Sequence, residues 1–145
     1  MSTSGIPAQL QTPYLSHLGA TVVRFDETGC EIRLKVAAHH CNLQGFGHGG
    51  MLASLLDAVS GYAGLFGSGG IRPASVTLSL NIQYHAPAQQ GETLLARGRV
   101  SGGGQRVFFT QADIIDSQGD TIAVASGVFR RPSSAGAGDH DKGRP

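Results

Sequence analysis

An aspartate on an almost wholly apolar helix is the first candidate for chemistry in this sequence. Asp57 lies in segment 50–66, whose apolar residues cover most of the helical circumference, as is typical of a buried central helix. A buried carboxylate without hydrogen-bond donors costs several kcal/mol. Asp57 is therefore either held by local donors such as Ser54 or Ser60, or kept for catalysis.

The same helix has a narrow stripe of small and polar side chains. At about 3.6 residues per turn, the stripe contains Gly50, Ser54, Asp57, Gly61 and Gly64. We expect another group to approach these short side chains closely, and we predict that Ser54 binds substrate.

A glycine turn suited to negative charge precedes the helix. In His48-Gly49-Gly50, the missing side chains leave N–H groups open at a helix N-terminus, where the helix dipole favours negative charge. Such groups stabilise a thioester or ester carbonyl oxygen that gains charge in a tetrahedral transition state. His48 is predicted to contact the same substrate.

The spacing of these residues is shared with a known family. The pattern consists of Asn42, His48-Gly49-Gly50 six residues later, Asp57 seven residues after Gly50, and the segment 76–87 followed by Gly91-Glu92. It resembles the hotdog-fold acyl-CoA thioesterases of the PaaI type, typified by the enzymes of the phenylacetate pathway. The resemblance covers residues 18–130.

This resemblance implies hydrolysis of an acyl-CoA thioester without a cofactor. It implies that Asp57 is the nucleophile or general base, and that the backbone N–H of Gly49 or Gly50 polarises the carbonyl. Asn42 would orient the carbonyl or the water, and Thr77 would assist from a neighbouring strand. Phenylacetyl-CoA and its relatives are the implied substrates, with medium-chain acyl-CoA as the alternative.

Residues that contact the substrate are harder to select. Candidates for an acyl pocket are Phe46, Leu55, Val59, Tyr62 and Phe66, of which we select Phe46. Candidates for binding the CoA phosphates are Arg97, Arg99, Arg106 and Arg130. Arg106 is selected because it flanks the glycine turn 102–104, whose backbone donors are exposed. The alternative is that these arginines are solvated and pair with carboxylates.

The distance along the helix predicts an oligomer. At about 1.5 Å per residue, Gly49 and Asp57 are separated by about 12 Å, whereas an oxyanion donor and a nucleophile both lie about 3 Å from one reacting group. The simplest solution is a two-fold dimer in which Asn42 and Gly49 of one subunit face Asp57 and Thr77 of the other. A homodimer and a tetramer of two dimers both remain open.

Composition sets further limits. The 145 residues, 40% hydrophobic and 14% charged, suit one compact domain. A formal net charge of +1 without a dense basic block argues against a nucleic-acid partner. The longest apolar run is interrupted by glycine, serine and Asp57, so we predict no membrane span. The first residues lack a secretory signal pattern, and we expect a cytoplasmic protein.

A zinc site is the alternative use of the histidines. His39, His40, Cys41 and His48 carry suitable donor atoms. Their spacing matches neither a zinc ribbon nor an HExxH helix, and Cys30 and Cys41 do not form a CxxC pair. We therefore predict no metal and no disulfide scaffold.

The elements that position these residues follow from periodicity. We predict a helical segment over 7–18, strands 20–25 and 30–36, the central helix, and strands 76–84, 93–101, 106–116 and 121–130. In strand 76–84, the apolar face from Val76 to Tyr84 is predicted to pack on the helix, and Thr77 lies on the other face. The result is an α+β hotdog fold, a long central helix wrapped by an antiparallel sheet of five or six strands.

Three regions and two alternative functions complete the prediction. The regions are an N-terminal helical segment 1–18, a hotdog thioesterase domain 19–131 and a disordered tail 132–145. A hydratase or dehydratase acting on acyl thioesters is one alternative, although the helix carries no histidine after His48. A non-catalytic acyl-CoA binding or sensing module is the other.

Overall fold

One long helix packs against one face of an antiparallel sheet. The computed structural model describes residues 5–133. In chain order, its elements are α1 (Pro13–Leu18), β1 (Ala20–Asp26), β2 (Gly29–Lys35), α2 (Gly49–Ala63), β3 (Phe66–Gly67), β4 (Gly70–Ile71), β5 (Val76–Tyr84), β6 (Thr93–Gly103), β7 (Val107–Ile115) and β8 (Thr121–Arg130). Six strands form one sheet in the order β1-β2-β6-β7-β8-β5, and β3 pairs with β4. The predicted α+β arrangement is confirmed, with six strands around the helix.

The N-terminal segment covers one edge of the sheet. The predicted helix over 7–18 is divided into a 3-10 turn, Ala8–Leu10, and the α-helix α1. Between them, the Gln11 side chain donates to the Ala20 carbonyl at 2.7 Å and accepts from the Val22 N–H at 3.1 Å. The Gln11 amide thus takes the place of a neighbouring strand on the outer edge of β1. The predicted tail, 132–145, lies outside the described residues from position 134 onward.

Helix α2 approaches the sheet closely because the sheet has a glycine beneath it. Leu55, Leu56 and Val59 of α2 are completely buried. A Cβ atom at Gly98 of β6 would lie 2.4 Å from the Val59 carbonyl oxygen, closer than nonbonded atoms can pack. The absence of a side chain at Gly98 therefore sets the separation between the two layers.

The C-terminal end of α2 comes earlier than the predicted residue 66. The helix ends at Ala63, where the Gly64 N–H bonds to the Gly61 carbonyl at 3.3 Å. The Phe108 ring fills the space beside Gly64, since a Cβ atom there would lie 2.2 Å from the ring. Phe66 instead belongs to β3, and its ring packs edge-on against that of Phe25 at 5.6 Å.

The prediction that Val76 and Leu78 pack on the helix is wrong. Thr77 pairs with Phe129 of β8, but Ser79 pairs with the adjacent Val128, so β5 contains one extra residue. Such a bulge reverses the alternation of faces along a strand. Leu80 and Ile82 pack against the core, whereas Val76 and Leu78 are 52% and 51% exposed. The same bulge turns Thr77 towards α2.

Among residues 5–133, no helix combines the length and apolar character needed to cross a membrane.

Substitution of Gly98 tests the close contact between α2 and the sheet. Gly98→Ala forces a methyl group into the Val59 backbone, and we expect the free energy of unfolding to fall by about 1–3 kcal/mol. Gly104→Ala is the matched control, because a Cβ atom there meets nothing within 4 Å. Urea unfolding of the two variants measures both effects, and equal stability would contradict this packing.

Candidate active site

Asp57 and Thr77 form a hydrogen-bonded pair between α2 and β5. The Thr77 Oγ1 donates to the Asp57 Oδ1 at 2.8 Å. Asp57 is half-buried, and its Oδ2 has no hydrogen-bond partner within residues 5–133. Thr77 thus orients the carboxylate through one oxygen and leaves the other available.

A cavity of about 140 Å³ adjoins this pair. Its apolar lining includes Ala58, Gly61, Tyr62, Leu65 and Phe129, and Ser75 and Thr77 add hydroxyl groups. The space is open on the helix side because Gly61 has no side chain. The cavity can hold a small apolar group beside the carboxylate.

Of the residues predicted for an acyl pocket, only one lines this cavity. Tyr62 lines the cavity, whereas Leu55 and Val59 are completely buried on the side of α2 that faces the sheet. Phe66 lies in β3. Phe46, 36% exposed, lies in the loop before α2, where it forms an isolated bridge with Gln89.

The N-terminus of α2 has one engaged and one open N–H group. His48 caps the helix, and its Nδ1 accepts from the Gly50 N–H at 2.8 Å. The Gly49 N–H has no hydrogen-bond partner in the described part of the chain. Of the two predicted backbone donors, Gly49 is the one that can bind a ligand oxygen.

Asn42 holds the loop that leads to this helix terminus. Its Oδ1 accepts from the N–H groups of Gln44 at 3.0 Å and Phe46 at 3.2 Å. Its Nδ2 has no partner among the described residues, and Asn42 and His48 line the same open depression. The side-chain NH₂ of Asn42 is therefore a second free donor near the helix terminus.

The His40 side chain holds this loop by hydrogen bonds, and neither of its ring nitrogens is free. The buried His40 ring accepts from the Ala37 N–H through Nδ1 at 2.9 Å, so its Nε2 carries the proton and donates to the Leu18 carbonyl at 2.6 Å. The His40 carbonyl accepts from the His48 N–H at 2.7 Å. His40 thus fixes the position of His48 through the backbone.

Ser54 is engaged within the protein. Its hydroxyl donates to the Gly50 carbonyl at 3.0 Å and accepts from the Tyr14 hydroxyl at 2.6 Å. The Ser54 hydroxyl therefore has no proton left to donate to a substrate, and the structure does not support the predicted contact. The short side chains at Gly61 and Gly64 instead allow the rings of Phe129 and Phe108 to approach α2.

Tyr84 makes a polar contact with the glycine turn that the sequence pattern does not indicate. Its hydroxyl donates to the Gly49 carbonyl at 3.0 Å, and a Cβ atom at Gly49 would lie 3.5 Å from the Tyr84 ring. The alternation of β5 placed Tyr84 correctly towards α2, but no spacing in the sequence indicates that its hydroxyl reaches the glycine turn.

Arginines surround the end of the sheet where β5 begins. Arg97 lies level with the opposite end of β5 and pairs with Asp113 through two bonds of 2.8 and 2.6 Å, so it is engaged with a carboxylate. Arg106 follows the glycine turn, and its carbonyl accepts from the Arg131 N–H. Segments 64–84, 99–112 and 125–133 contain five arginines and no aspartate or glutamate. Burial, followed by the charge of Arg72, lowers the pKa of Arg131.

The cysteines and histidines within residues 5–133 do not form a metal site. No group of three or more His, Cys, Asp or Glu side chains there is arranged to hold a metal ion. Cys30 is completely buried, and this burial raises the pKa of its thiol to about 12. Cys30 therefore stays protonated at neutral pH.

The known proteins that are similar to this chain include acyl-coenzyme A thioesterases. The family model described as "Thioesterase superfamily" matches residues 44–123. The acyl-coenzyme A thioesterase PaaI of Escherichia coli K12 is 30% identical over 79% of this chain and 79% of its own length. Human acyl-coenzyme A thioesterase 13 is 35% identical over 59% of this chain, which spans 58% of the human protein.

Solved structures share the fold. The E. coli PaaI structure superposes with a TM-score of 0.78 at 26% identity, covering 84% of this chain and 86% of PaaI. A Streptococcus mutans protein determined with bound acetyl-CoA has a TM-score of 0.68 at 25% identity, covering 77% and 86% of the two chains. The predicted hotdog fold is confirmed by these similarities.

Proposed function

Because this chain belongs to the thioesterase superfamily, we propose that it hydrolyses acyl-CoA thioesters that carry a small or aromatic acyl group. The observation that carries the proposal is the Asp57–Thr77 pair beside a small apolar cavity. The relatives named as acyl-coenzyme A thioesterases and the neighbour with bound acetyl-CoA support CoA as the thiol.

The free groups of the site have complementary roles in this reaction. The Gly49 N–H and the Asn42 NH₂ bind the thioester oxygen and stabilise the charge that it gains. Asp57, oriented by Thr77, either attacks the carbonyl carbon or removes a proton from the attacking water. In both routes the C–S bond breaks, and water finally supplies OH to the acid and H to the thiol.

One chain supplies only half of each site. Gly49 and Asp57 lie eight residues apart on α2, about 12 Å along its axis, so a single carbonyl cannot reach both in one chain. In a two-fold dimer, Asn42 and Gly49 of one chain face Asp57 and Thr77 of the other. Two equivalent sites result.

The edges of the sheet support pairing through β5. Gln11 occupies the outer edge of β1, whereas β5 has β8 on one side and no strand on the other within residues 5–133. An open strand edge is a template for pairing with another chain. Antiparallel pairing about the middle of β5 would bring the Thr77 end of one copy next to the Tyr84 end of the other, where Gly49 lies.

The arginine-rich end of the sheet suits the phosphates of CoA. Arg130 of β8 lies opposite Val76 of β5 and Val107 of β7, at the end of β5 where Ser75 and Thr77 line the cavity. Arg106 and Arg130 have no carboxylate partner among residues 5–133. We assign the phosphates to these two arginines, with Arg106 at the exposed turn.

Replacement of the carboxylate tests the reaction itself. Asp57→Asn is expected to lower release of free thiol from phenylacetyl-CoA and acetyl-CoA by about 10²–10⁴-fold, and to leave stability within about 0.5 kcal/mol because the shape is kept. Asp120→Asn, at an exposed turn, is the control with full activity. Unaltered turnover in Asp57→Asn would remove Asp57 from the mechanism. A changed acyl chain with intact thioester would indicate a hydratase, and binding without turnover a sensor.

Mixing of inactive chains tests the shared site. Asn42→Asp keeps the Oδ1 that accepts from Gln44 and Phe46 but removes the NH₂ donor, so we expect it to be inactive yet folded. Reassociation with Asp57→Asn chains should restore up to about one quarter of wild-type activity, because half of the dimers are mixed and each has one intact site. A mixture of Asp57→Asn with Thr77→Val is the control without restoration, since both changes fall in the same half-site. Restoration in neither mixture would contradict the dimer.

Gly61 tests the acyl cavity. Gly61→Ala places a methyl group in ordinary contact with Phe129 at 3.4 Å, and should stabilise α2 by about 0.5–1 kcal/mol. We expect kcat/KM for phenylacetyl-CoA to fall by about tenfold relative to acetyl-CoA, because the cavity is smaller. Gly69→Ala serves as the control in the same assay, because a Cβ atom there also meets nothing within 4 Å. An unchanged ratio would mean that the acyl group binds elsewhere.

A further inference from the structure

The peptide that joins Gly49 and Gly50 is held at both ends by side chains. The Tyr84 hydroxyl donates to its carbonyl at 3.0 Å, and its N–H donates to the His48 Nδ1 at 2.8 Å. Hydrogen bonds in such a chain polarise one another, so each strengthens the other. The Tyr84 hydroxyl, the peptide and the His48 ring form one continuous chain of hydrogen bonds.

This chain of hydrogen bonds restrains the part of the site whose backbone is the most flexible. Two consecutive glycines have more backbone freedom than any other pair of residues. The torsion angles at Gly49 set the orientation of the His48–Gly49 peptide, which carries the Gly49 N–H, relative to the Gly49–Gly50 peptide. The preceding peptide is held at its carbonyl, because the His48 oxygen accepts from Met51 at 3.0 Å and Leu52 at 3.2 Å. Once the following peptide is also held, the torsion angles at Gly49 are determined from both sides.

We propose that Tyr84 is a positioning residue of the thioesterase reaction, whose hydroxyl fixes the Gly49–Gly50 peptide and so aims the Gly49 N–H at the thioester oxygen. This inference rests on the proposed function. It adds a residue of β5 to the half-site formed by the helix N-terminus. Tyr84 does not touch the reacting atoms in this arrangement and acts only through Gly49.

The chemistry predicts where the effect appears. A donor that is aimed at the charge developing on the oxygen stabilises the transition state more than the bound substrate, so its loss lowers kcat and leaves KM nearly unchanged. Misplacement of such a group by about 1 Å costs up to about 10²-fold in rate. Loss of one of several restraints on the donor should have a smaller effect.

Removal of the hydroxyl alone tests this role. For Tyr84→Phe we expect kcat to fall by about tenfold, KM to change by less than about twofold, and the Gly50 amide to exchange with solvent faster. Tyr14→Phe is the matched control: Tyr14 also bonds to α2 through its hydroxyl, at Ser54, but has no contact with the Gly49–Gly50 peptide. It should keep wild-type kcat and Gly50 exchange.

The outcomes separate this inference from the proposed function. Full kcat in Tyr84→Phe, an effect confined to KM, or an equal loss in Tyr14→Phe would overturn the positioning role. Tyr84→Leu distinguishes ring packing: if Leu loses activity and Phe keeps it, the ring matters and the hydroxyl does not. If the wild type releases no thiol from any acyl-CoA, the proposed function fails, and amide exchange at Gly50 still reports whether Tyr84 holds the peptide.

Discussion

The structure of the site depends on one constraint, the need of a carboxylate on an apolar helix for a hydrogen-bond donor. The extra residue in β5 meets this need, because it turns Thr77 towards α2 and places its hydroxyl 2.8 Å from Asp57. The cost is the exposure of Val76 and Leu78 on the outer face. Bulges beside active sites commonly redirect a side chain in this way, and here the redirected residue orients the proposed nucleophile or base.

The rigid spacing of the helix keeps Gly49 and Asp57 of one chain apart. The N-terminus of α2 carries the open Gly49 N–H and the middle of α2 carries Asp57, so both halves of the proposed site lie on one helix that cannot bend to join them. Gly98 allows this helix to lie against the sheet, and Gln11 covers the far edge at β1. The edge at β5, which carries Thr77 and Tyr84, is the edge at which the proposed dimer would complete the site.

The sequence predicted the periodic features well and the non-periodic ones poorly. The long apolar stretch and the strand alternation located α2 and all six strands of the main sheet, because burial repeats at a regular interval. The bulge at Leu78 has no such signal, so Val76 was assigned to the wrong face. The sequence also left Gly49 and Gly50 equivalent. The choice between them depends on the ring orientation of His48, and Tyr84 enters through a hydroxyl contact between residues 35 positions apart. Contacts of this kind follow from three-dimensional placement and not from spacing.

The most direct measurement is a crystal structure of the protein with a non-hydrolysable ketone analogue of phenylacetyl-CoA. We expect the analogue's carbonyl oxygen to lie about 3 Å from the Gly49 nitrogen of one chain, and the carboxylate beside its carbonyl carbon to be Asp57 of the other chain. A carbonyl bound beside Gly49 and Asp57 of the same chain, or remote from both residues, would contradict it.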